Sequence, residues 1–330
     1  MNNESWIEKF RPKKLKDVIS QEEIILSLKK VIITQNIPHL LFFGPSGCGK
    51  TSTILALARE LFSDKYWEDR VIELNASDER GIRAVRDKIK TYARNSINKC
   101  EGIPPWKIII LDEADTMTSD SQFALRKIME DYSKVTRFCI ICNYHNKIID
   151  PIISRCSLFR FRPIPKDLIK KKLIEICEKE SIKCSTENIE YIIKTCSGDL
   201  RKAVNFLQKC MNNKYFKQNN INNKCQKNII DNMSGLIPEN ILNKLFEYAI
   251  ECKEQKVINI IEYIYKSSYS LTLQLEKISD LIIFNKTLSD KNKALIIQKI
   301  TDIDQYLIKG CDEYIQYYNL MYFIIKIIKN

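Results

Sequence analysis

The sequence predicts an α/β domain with a parallel sheet, followed by two helical domains. As far as residue 161, strand-length apolar runs alternate with amphipathic helical patterns, which is typical of a parallel sheet covered on both faces. Pro163 and Pro165 then interrupt the chain, and from Lys166 onwards only helical periodicity is visible. We therefore expect an α/β domain at residues 1–163, a small helical domain at 164–210, a linker at 211–235 and a second helical domain at 236–330.

The predicted strands are short and rich in branched and aromatic residues, and they lie at His39–Phe43, Val71–Asn75, Lys107–Leu111, Arg137–Cys142 and Ser157–Phe161. Between them, apolar residues recur every three or four positions, which predicts helices at Thr51–Leu61, Ile82–Ser96 and Ser119–Asp131.

The second half of the chain predicts helices only. Lys166–Lys209 has the length of a small helical domain, and Met211–Asn228 is rich in Asn and Lys, as expected for a linker or surface loop. Leu236–Asn330 has the apolar spacing of a helical bundle. Its last run, Tyr322–Ile328, is apolar, so it either packs within the bundle or covers a neighbour's surface.

Composition excludes several classes of protein. With 45% hydrophobic residues the 330-residue chain is not disordered, and no apolar run reaches the roughly 18 residues of a membrane span. The first ten residues carry charges where a signal peptide needs an apolar block. We expect a soluble intracellular protein with no membrane partner. The net charge of +12 makes nucleic acid a plausible partner, but only a local basic cluster would make it specific.

The histidines and cysteines limit the chemistry further. Two histidines, His39 and His145, argue against histidine-based catalysis. Twelve cysteines are scattered irregularly, unlike a disulfide framework. Cys139 and Cys142 have C-x-x-C spacing inside an apolar run; buried packing is the favoured interpretation, with a metal or redox site as the alternative.

A glycine-rich phosphate-binding loop follows the first predicted strand. It matches G-x-x-x-x-G-K-[ST] and consists of Gly44, Pro45, Ser46, Gly47, Cys48, Gly49, Lys50 and Thr51, with Ser52 opening the next helix. Its backbone N–H groups and the helix N-terminus would hold phosphate. Lys50 would reach the β- and γ-phosphates, and the Thr51 hydroxyl would bind Mg²⁺. The loop thus predicts ATP and Mg²⁺ as cofactors.

Two carboxylates follow the third predicted strand. Asp112 is placed to hold Mg²⁺, partly through water, and Glu113 to polarise the attacking water. A solvated acidic turn is the alternative, which the upstream phosphate loop makes the weaker one.

Further motifs appear in a fixed order: Trp6–Pro12, Leu74–Ile82, Leu111–Asp115, Thr136–Phe138 with Asn143, Ser154–Cys156 and Gly198–Arg201. Together with the phosphate loop they resemble the small subunits of replication factor C, the eukaryotic sliding-clamp loader of the AAA+ ATPase class, most closely those numbered two or four. The resemblance implies a P-loop AAA+ core, a small helical lid and an all-helical collar that holds subunits together.

The resemblance also implies roles for single residues. Asn143 would be a sensor beside the attacking water, and Arg201 a second sensor on the lid. Arg155 would be an arginine finger that acts in trans, in the neighbouring subunit's site. The segment around the adenine would comprise Ile7, Arg11, Pro12 and Ile19. Lys50, Asp112, Glu113, Asn143 and Arg155 would form the catalytic set.

A basic helix face predicts contact with DNA. Arg83, Arg86 and Lys90 share one face of the helix that Arg80 precedes, and an apolar stripe lies beside them. Such a row suits a phosphate backbone, although a solvated basic face has the same pattern. The resemblance implies that this helix touches primer–template DNA.

The leading hypothesis is an ATP-dependent subunit of a nuclear heteropentamer, built with the other replication factor C subunits, that loads the sliding clamp PCNA onto primer–template DNA in replication and repair. One alternative is a homohexameric AAA+ motor, a helicase or remodeller. Another is a scaffold that binds ATP without useful turnover.

Overall fold

Five parallel strands form the sheet of the first part of the chain. They are β1 (His39–Phe43), β2 (Val71–Asn75), β3 (Lys107–Asp112), β4 (Thr136–Cys142) and β5 (Cys156–Arg160), in the spatial order β2-β3-β4-β1-β5. Each strand lies within one residue of its predicted bounds at either end. The apolar runs alone therefore located the sheet, and the predicted parallel α/β class is confirmed.

The computed structural model describes residues 5–76, 82–94, 102–182, 184–196, 198–212, 230 and 235–329. The chain divides into two compact units, residues 1–224 and 225–330. Most of the predicted linker at 211–235 lies outside the described residues. Within the described ranges, no helix has the length and apolar character needed to cross a membrane.

The helices of the first unit are α1 (Trp6–Lys9), α2 (Glu22–Thr34), α3 (Lys50–Arg70), α4 (Ile82–Arg94), α5 (Ser119–Asp131), α6 (Asp150–Ile153), α7 (Lys166–Lys179), α8 (Thr186–Thr195) and α9 (Leu200–Asn212). Thr118 and Ser185 cap α5 and α8 with their side-chain oxygens. α3 is longer than predicted, because the helix resumes after a break at Ser63, whose φ is 56° and ψ 161°.

Both faces of the sheet are covered, as the parallel arrangement requires. Alternate residues along β1 point to opposite sides: Leu40 and Phe42 pack with α2 and α3, whereas Leu41 packs with α4 and α5. The same alternation separates Cys139 from Cys142, which belong to the cores on opposite faces. One ion therefore cannot bind both thiols. Burial raises the pKa of both, for Cys142 to about 12, and all the cysteines in the described ranges are free.

The second unit contains five described helices, α10 (Glu239–Ile250), α11 (Glu254–Lys266), α12 (Leu275–Ile283), α13 (Asp290–Ile308) and α14 (Glu313–Lys329). Their apolar stripes meet in one core, as the three- and four-residue spacing predicts. In the terminal apolar run, Ile324 and Ile325 are buried in this core, while Tyr322 is 40% exposed. Much of the run therefore packs within the bundle.

Candidate nucleotide-binding site

The phosphate loop connects β1 to α3, and its shape depends on two glycines. Gly44 has φ 146°, and a Cβ on it would lie 2.3 Å from the carbonyl oxygen of Phe161. Gly47 has φ 69°, and its Cβ would lie 2.1 Å from a carboxylate oxygen of Asp199. Left-handed backbone and close approach thus both exclude a side chain at these positions.

Lys50, the first residue of α3, is almost fully buried, with 8% of its surface exposed. Its Nζ donates to the carbonyl oxygens of Gly44 at 2.7 Å and Pro45 at 2.8 Å, and to Oδ1 of Asn143 at 2.9 Å. The ammonium group is therefore fixed between the loop and the end of β4. Burial raises the pKa of the neighbouring Cys48 thiol, which donates to Pro45, so the thiol stays protonated at neutral pH.

Strand order explains why these groups meet. Because β4 lies between β1 and β3, Asn143 at its carboxyl end sits between the phosphate loop and the acidic residues. Thr51 Oγ1 donates to Asp112 Oδ2 at 2.7 Å, joining the two predicted magnesium ligands. A hydroxyl and a carboxylate are hard oxygen donors of the kind that Mg²⁺ takes, so the residues present fit that ion.

Glu113 lies next to this pair in a strained backbone conformation. Its φ is 55°, a left-handed value uncommon for a residue with a side chain, and its N–H donates to Asp112 Oδ1 at 2.8 Å. The side chain is exposed and lines the pocket described below. Asp115 was not predicted: its Oδ2 accepts the backbone N–H groups of Asn143 and Tyr144, both at 3.3 Å, and so ties the end of β4 to the end of β3.

A pocket of about 190 Å³ runs from the phosphate loop to the lid helices. The end formed by the phosphate loop and the strand ends is polar, and it is lined by Ser46, Gly47, Cys48, Gly49, Lys50, Thr51, Ser52, Asp112, Glu113 and Asn143, while Arg201 lines the pocket from α9. The other end is largely apolar, and it is lined by Trp6, Ile7, Phe10, Arg11, Pro12, Lys172, Ile176, Leu200 and Val204. A polar end beside an apolar end matches the phosphates and the base of a nucleotide.

The predicted adenine segment lies mostly at the apolar end. Ile7, Arg11 and Pro12 line the pocket, whereas Ile19 lines an adjacent cavity together with Arg11 and Pro12. Nε of Arg11 is buried and has no hydrogen-bond partner among the described residues. This donor is free to bond an acceptor on a bound base, which fits a nucleotide in the pocket.

Arg201 on α9 also lines the pocket, and its neighbour Asp199 contacts the phosphate loop directly. Ser46 Oγ donates to Asp199 Oδ2 at 3.1 Å, and Asp199 Oδ1 accepts the N–H of Lys202 at 3.1 Å, which caps α9. α1 is also tied to the lid, because Trp6 N–H donates to Oε1 of Gln208 at 3.0 Å.

Arg155 is absent from the side chains that line this pocket. It follows α6, and its guanidinium bonds to Glu130 on α5 and to the carbonyl oxygen of Pro151. This position is compatible with the predicted role in trans, in a neighbouring subunit's site.

The predicted DNA face lies on α4 and is described only in part. Ile89 and Ala93 are buried against the sheet, while Lys90 is exposed, as the two stripes predict. The backbone of Arg83 and Arg86 belongs to α4, but their side chains lie outside the described part of the structure, as does all of Arg80.

Several pocket residues escaped the sequence prediction. Trp6 and Phe10 adjoin predicted residues, and their aromatic character beside Ile7 was a usable signal. Asp199 stands in the same short motif as Arg201, but only the folded lid shows that it meets the loop. Lys172, Ile176 and Val204 carry no sequence signal, since helical periodicity does not tell a pocket-facing residue from a core one.

Comparison with protein families matches three stretches of the chain. Residues 40–164 match the ATPase family associated with various cellular activities (AAA), residues 171–211 match the RCF1/5-like AAA+ ATPase lid domain, and residues 237–322 match the replication factor C C-terminal domain. The AAA+ core, the helical lid and the C-terminal helical domain of the predicted fold are therefore confirmed.

Several relatives align along nearly the whole chain. Replication factor C subunit 4 of Homo sapiens is 42% identical, covering 96% of this chain and 86% of the relative. Subunit 2 of Schizosaccharomyces pombe is 40% identical, covering 96% and 92%, and the replication factor C small subunit of Archaeoglobus fulgidus is 42% identical, covering 96% and 95%.

Among solved structures, the Thermotoga maritima RuvB Holliday junction branch migration motor has a TM-score of 0.53 at 15% identity, covering 74% of this chain and 80% of RuvB. At that identity the likeness extends to the fold alone. The full-length relatives and the three domain matches show more: this chain belongs to the replication factor C small-subunit family, and it carries an AAA+ ATPase domain.

Proposed function

We propose that this chain is an ATP-hydrolysing subunit of a heteropentameric clamp loader, which places the sliding clamp PCNA onto primer–template DNA. The single observation that carries the proposal is the joined phosphate site of Lys50, Thr51, Asp112 and Asn143 in a member of this family. The hydrogen bonds assemble, from three strand ends, the groups that phosphoryl transfer requires.

The chain's own residues divide the work of hydrolysis. Lys50 places a positive charge beside the β- and γ-phosphates, and Glu113 orients and polarises the attacking water. Asn143 offers an amide that both donates and accepts, which suits contact with that water or with the γ-phosphate. Mg²⁺, held by Thr51 and Asp112, supplies neutralising charge when bound.

Arg201 links nucleotide binding to the lid. Its side chain lines the same pocket as the phosphate loop, so phosphates bound at the loop would attract it. Because Asp199 and Trp6 already connect the lid to the loop and to α1, a shift of the lid is passed to both. ATP binding would thereby set the orientation of lid and core, the step that closes a spiral of subunits around DNA.

Partners supply what the single chain lacks. Arg155 lies away from the chain's own pocket and would complete the site of a neighbouring subunit, which makes hydrolysis depend on assembly. α4 would follow the DNA backbone, and the C-terminal bundle would form the collar between subunits. These roles place the protein in the nucleus. We further propose the boundaries 1–163, 164–210, 211–235 and 236–330 for the core, lid, linker and collar.

The two alternatives are weaker. A homohexameric helicase or remodeller would share the phosphate site, but family membership does not favour it. A scaffold that binds ATP without turnover would need neither Glu113 nor Arg155, and both are present together with Lys50.

Replacing Glu113 by Gln tests the proposal directly. In the complex reconstituted with its partner subunits, Glu113→Gln should bind ATP normally, because the phosphate loop is untouched. ATP turnover at this subunit's site should fall at least a hundredfold, and repeated clamp loading should slow with it. An exposed glutamate on the lid, in the variant Glu187→Gln, serves as the control. Normal ATP binding together with clamp loading as fast as wild type by Glu113→Gln would favour the scaffold alternative instead.

A further inference from the structure

The guanidinium of Arg155 is held on its own subunit by two bonds. NH2 donates to Glu130 Oε1 at 2.5 Å, and NH1 donates to the carbonyl oxygen of Pro151 at 2.7 Å. Both terminal nitrogens are thus engaged by acceptors of the same chain. The side chain is still 35% exposed, so a stronger acceptor can approach it from outside.

Glu130 is shared between two arginines. Arg126, one turn earlier on α5, donates its Nε to the same carboxylate oxygen at 3.0 Å. The hydrogen bond from Arg126, together with the charge and hydrogen bond of Arg155, lowers the pKa of Glu130, so the carboxylate stays charged throughout the neutral range. Without it, the two guanidinium groups would face each other with no counter-charge.

We propose that Glu130 is a positioning residue that stores the arginine finger: it holds Arg155 on its own subunit until the phosphates of a neighbouring subunit's nucleotide compete for it. The inference rests on the proposed function, in which Arg155 acts in trans. A triphosphate carries more charge than a carboxylate and offers several acceptor oxygens, so it can take the guanidinium over in a closed interface.

Storage of this kind would restrain hydrolysis while the interface is loose. An exposed ion pair contributes little to stability, which suits a contact that must be given up easily. The strength of the Glu130 contact, set partly by Arg126, would then fix how often Arg155 is free to act before DNA closes the complex. Glu130 touches no nucleotide in this account and acts only through Arg155.

Two substitutions should act in opposite directions on ATP turnover by the reconstituted complex in the absence of DNA. Glu130→Gln removes the competing charge and should raise turnover about two- to fivefold, the range that exposed ion pairs contribute. Arg126→Gln leaves the carboxylate to Arg155 alone and should lower turnover by a similar factor. KM for ATP should stay unchanged in both, and saturating primer–template DNA should reduce both differences. A general loss of structure in α5 cannot produce opposite effects.

Glu190→Gln is the control, since Glu190 is likewise an exposed carboxylate paired with a cation, Lys170, on a helix surface, and neither residue lines the nucleotide pocket. Glu130→Gln turnover equal to that of this control, or a fall towards the Arg155→Ala level, would overturn the storage role. The Arg155→Ala variant distinguishes a failure of the proposed role of Arg155 in trans from a failure of the storage role of Glu130 alone. If it hydrolyses ATP as fast as wild type, the role of Arg155 in trans fails; if it is slow while Glu130→Gln is unaltered, only the storage role fails.

Discussion

At the scale of single residues, the site depends on side chains that hold one another in place. Lys50 bonds to three oxygens, and the Thr51 hydroxyl bonds to Asp112. Asp199 joins the loop to the lid through Ser46 and also caps α9. Such contacts reduce the reorganisation required when a nucleotide binds, because the charged groups already stand near their working positions.

The contact between Gly47 and Asp199 predicts the effect of a single methyl group. Gly47→Ala adds a Cβ that meets the Asp199 carboxylate, so the loop or the lid must shift and hydrogen bonds are lost. ATP affinity, measured by equilibrium binding to the complex, should fall at least tenfold. Gly102→Ala is the matched control, since Gly102 has a similar φ of 77° but nothing within 4 Å of its Cβ position. Gly102→Ala should leave ATP affinity unchanged, and equal ATP affinity for the two variants would contradict an effect of the close approach at Gly47.

Residues of the site differ in how far the sequence reveals them. Lys50, Thr51 and Asp112 were predictable because fixed spacing places them at strand ends. Asp115 and Asp199 were not, because their contacts depend on how separate elements meet. The contact between Arg155 and Glu130 is of the same kind: 25 residues separate the partners, and no local pattern links them.

At the scale of elements, α4 carries two stripes with different tasks. Ile89 and Ala93 attach it to the sheet, which leaves the neighbouring face with Lys90 exposed. Because a helix has 3.6 residues per turn, burial of an apolar stripe on one face leaves the polar residues in a second stripe beside it. The apolar residues thus set the orientation of the helix, and that orientation decides which way its basic face points.

Lys90 provides the test of this face. Lys90→Ala should weaken binding of the complex to primer–template DNA of any sequence by a similar factor, because the proposed backbone contact would lose one positive charge. The slope of log affinity against log salt should decrease by about one. Lys209→Ala, an exposed lysine on α9, is the control. A loss confined to particular base sequences, or an unchanged slope, would contradict a backbone contact.

The sequence predicted elements better where they are uniform than where they are broken. All five strands were placed within one residue, since short apolar runs between turns leave little choice of boundary. The continuation of α3 to Arg70 was missed, because the prediction ended this helix at Leu61 and the chain becomes helical again only after the break at Ser63. Of the lid residues that line the pocket, Arg201 was predicted, whereas Lys172, Ile176, Leu200 and Val204 were missed because their part depends on packing between helices far apart in the chain.

At the scale of the whole molecule, the proposed function divides each active site between two subunits. The chain holds the phosphate loop, Asp112 and Glu113 of one site, and its Arg155 is proposed for the next. The C-terminal bundle matches the replication factor C C-terminal domain at residues 237–322, which is the part proposed to hold subunits together. Such a division of residues makes activity a property of the assembly.

The composition of the purified assembly is the measurement that tests the central claim most directly. The chain should be isolated from its native source through an affinity tag, and the intact complex weighed by native mass spectrometry. The account predicts one copy of this chain with four different, related AAA+ subunits. A ring built only from copies of this chain would contradict it.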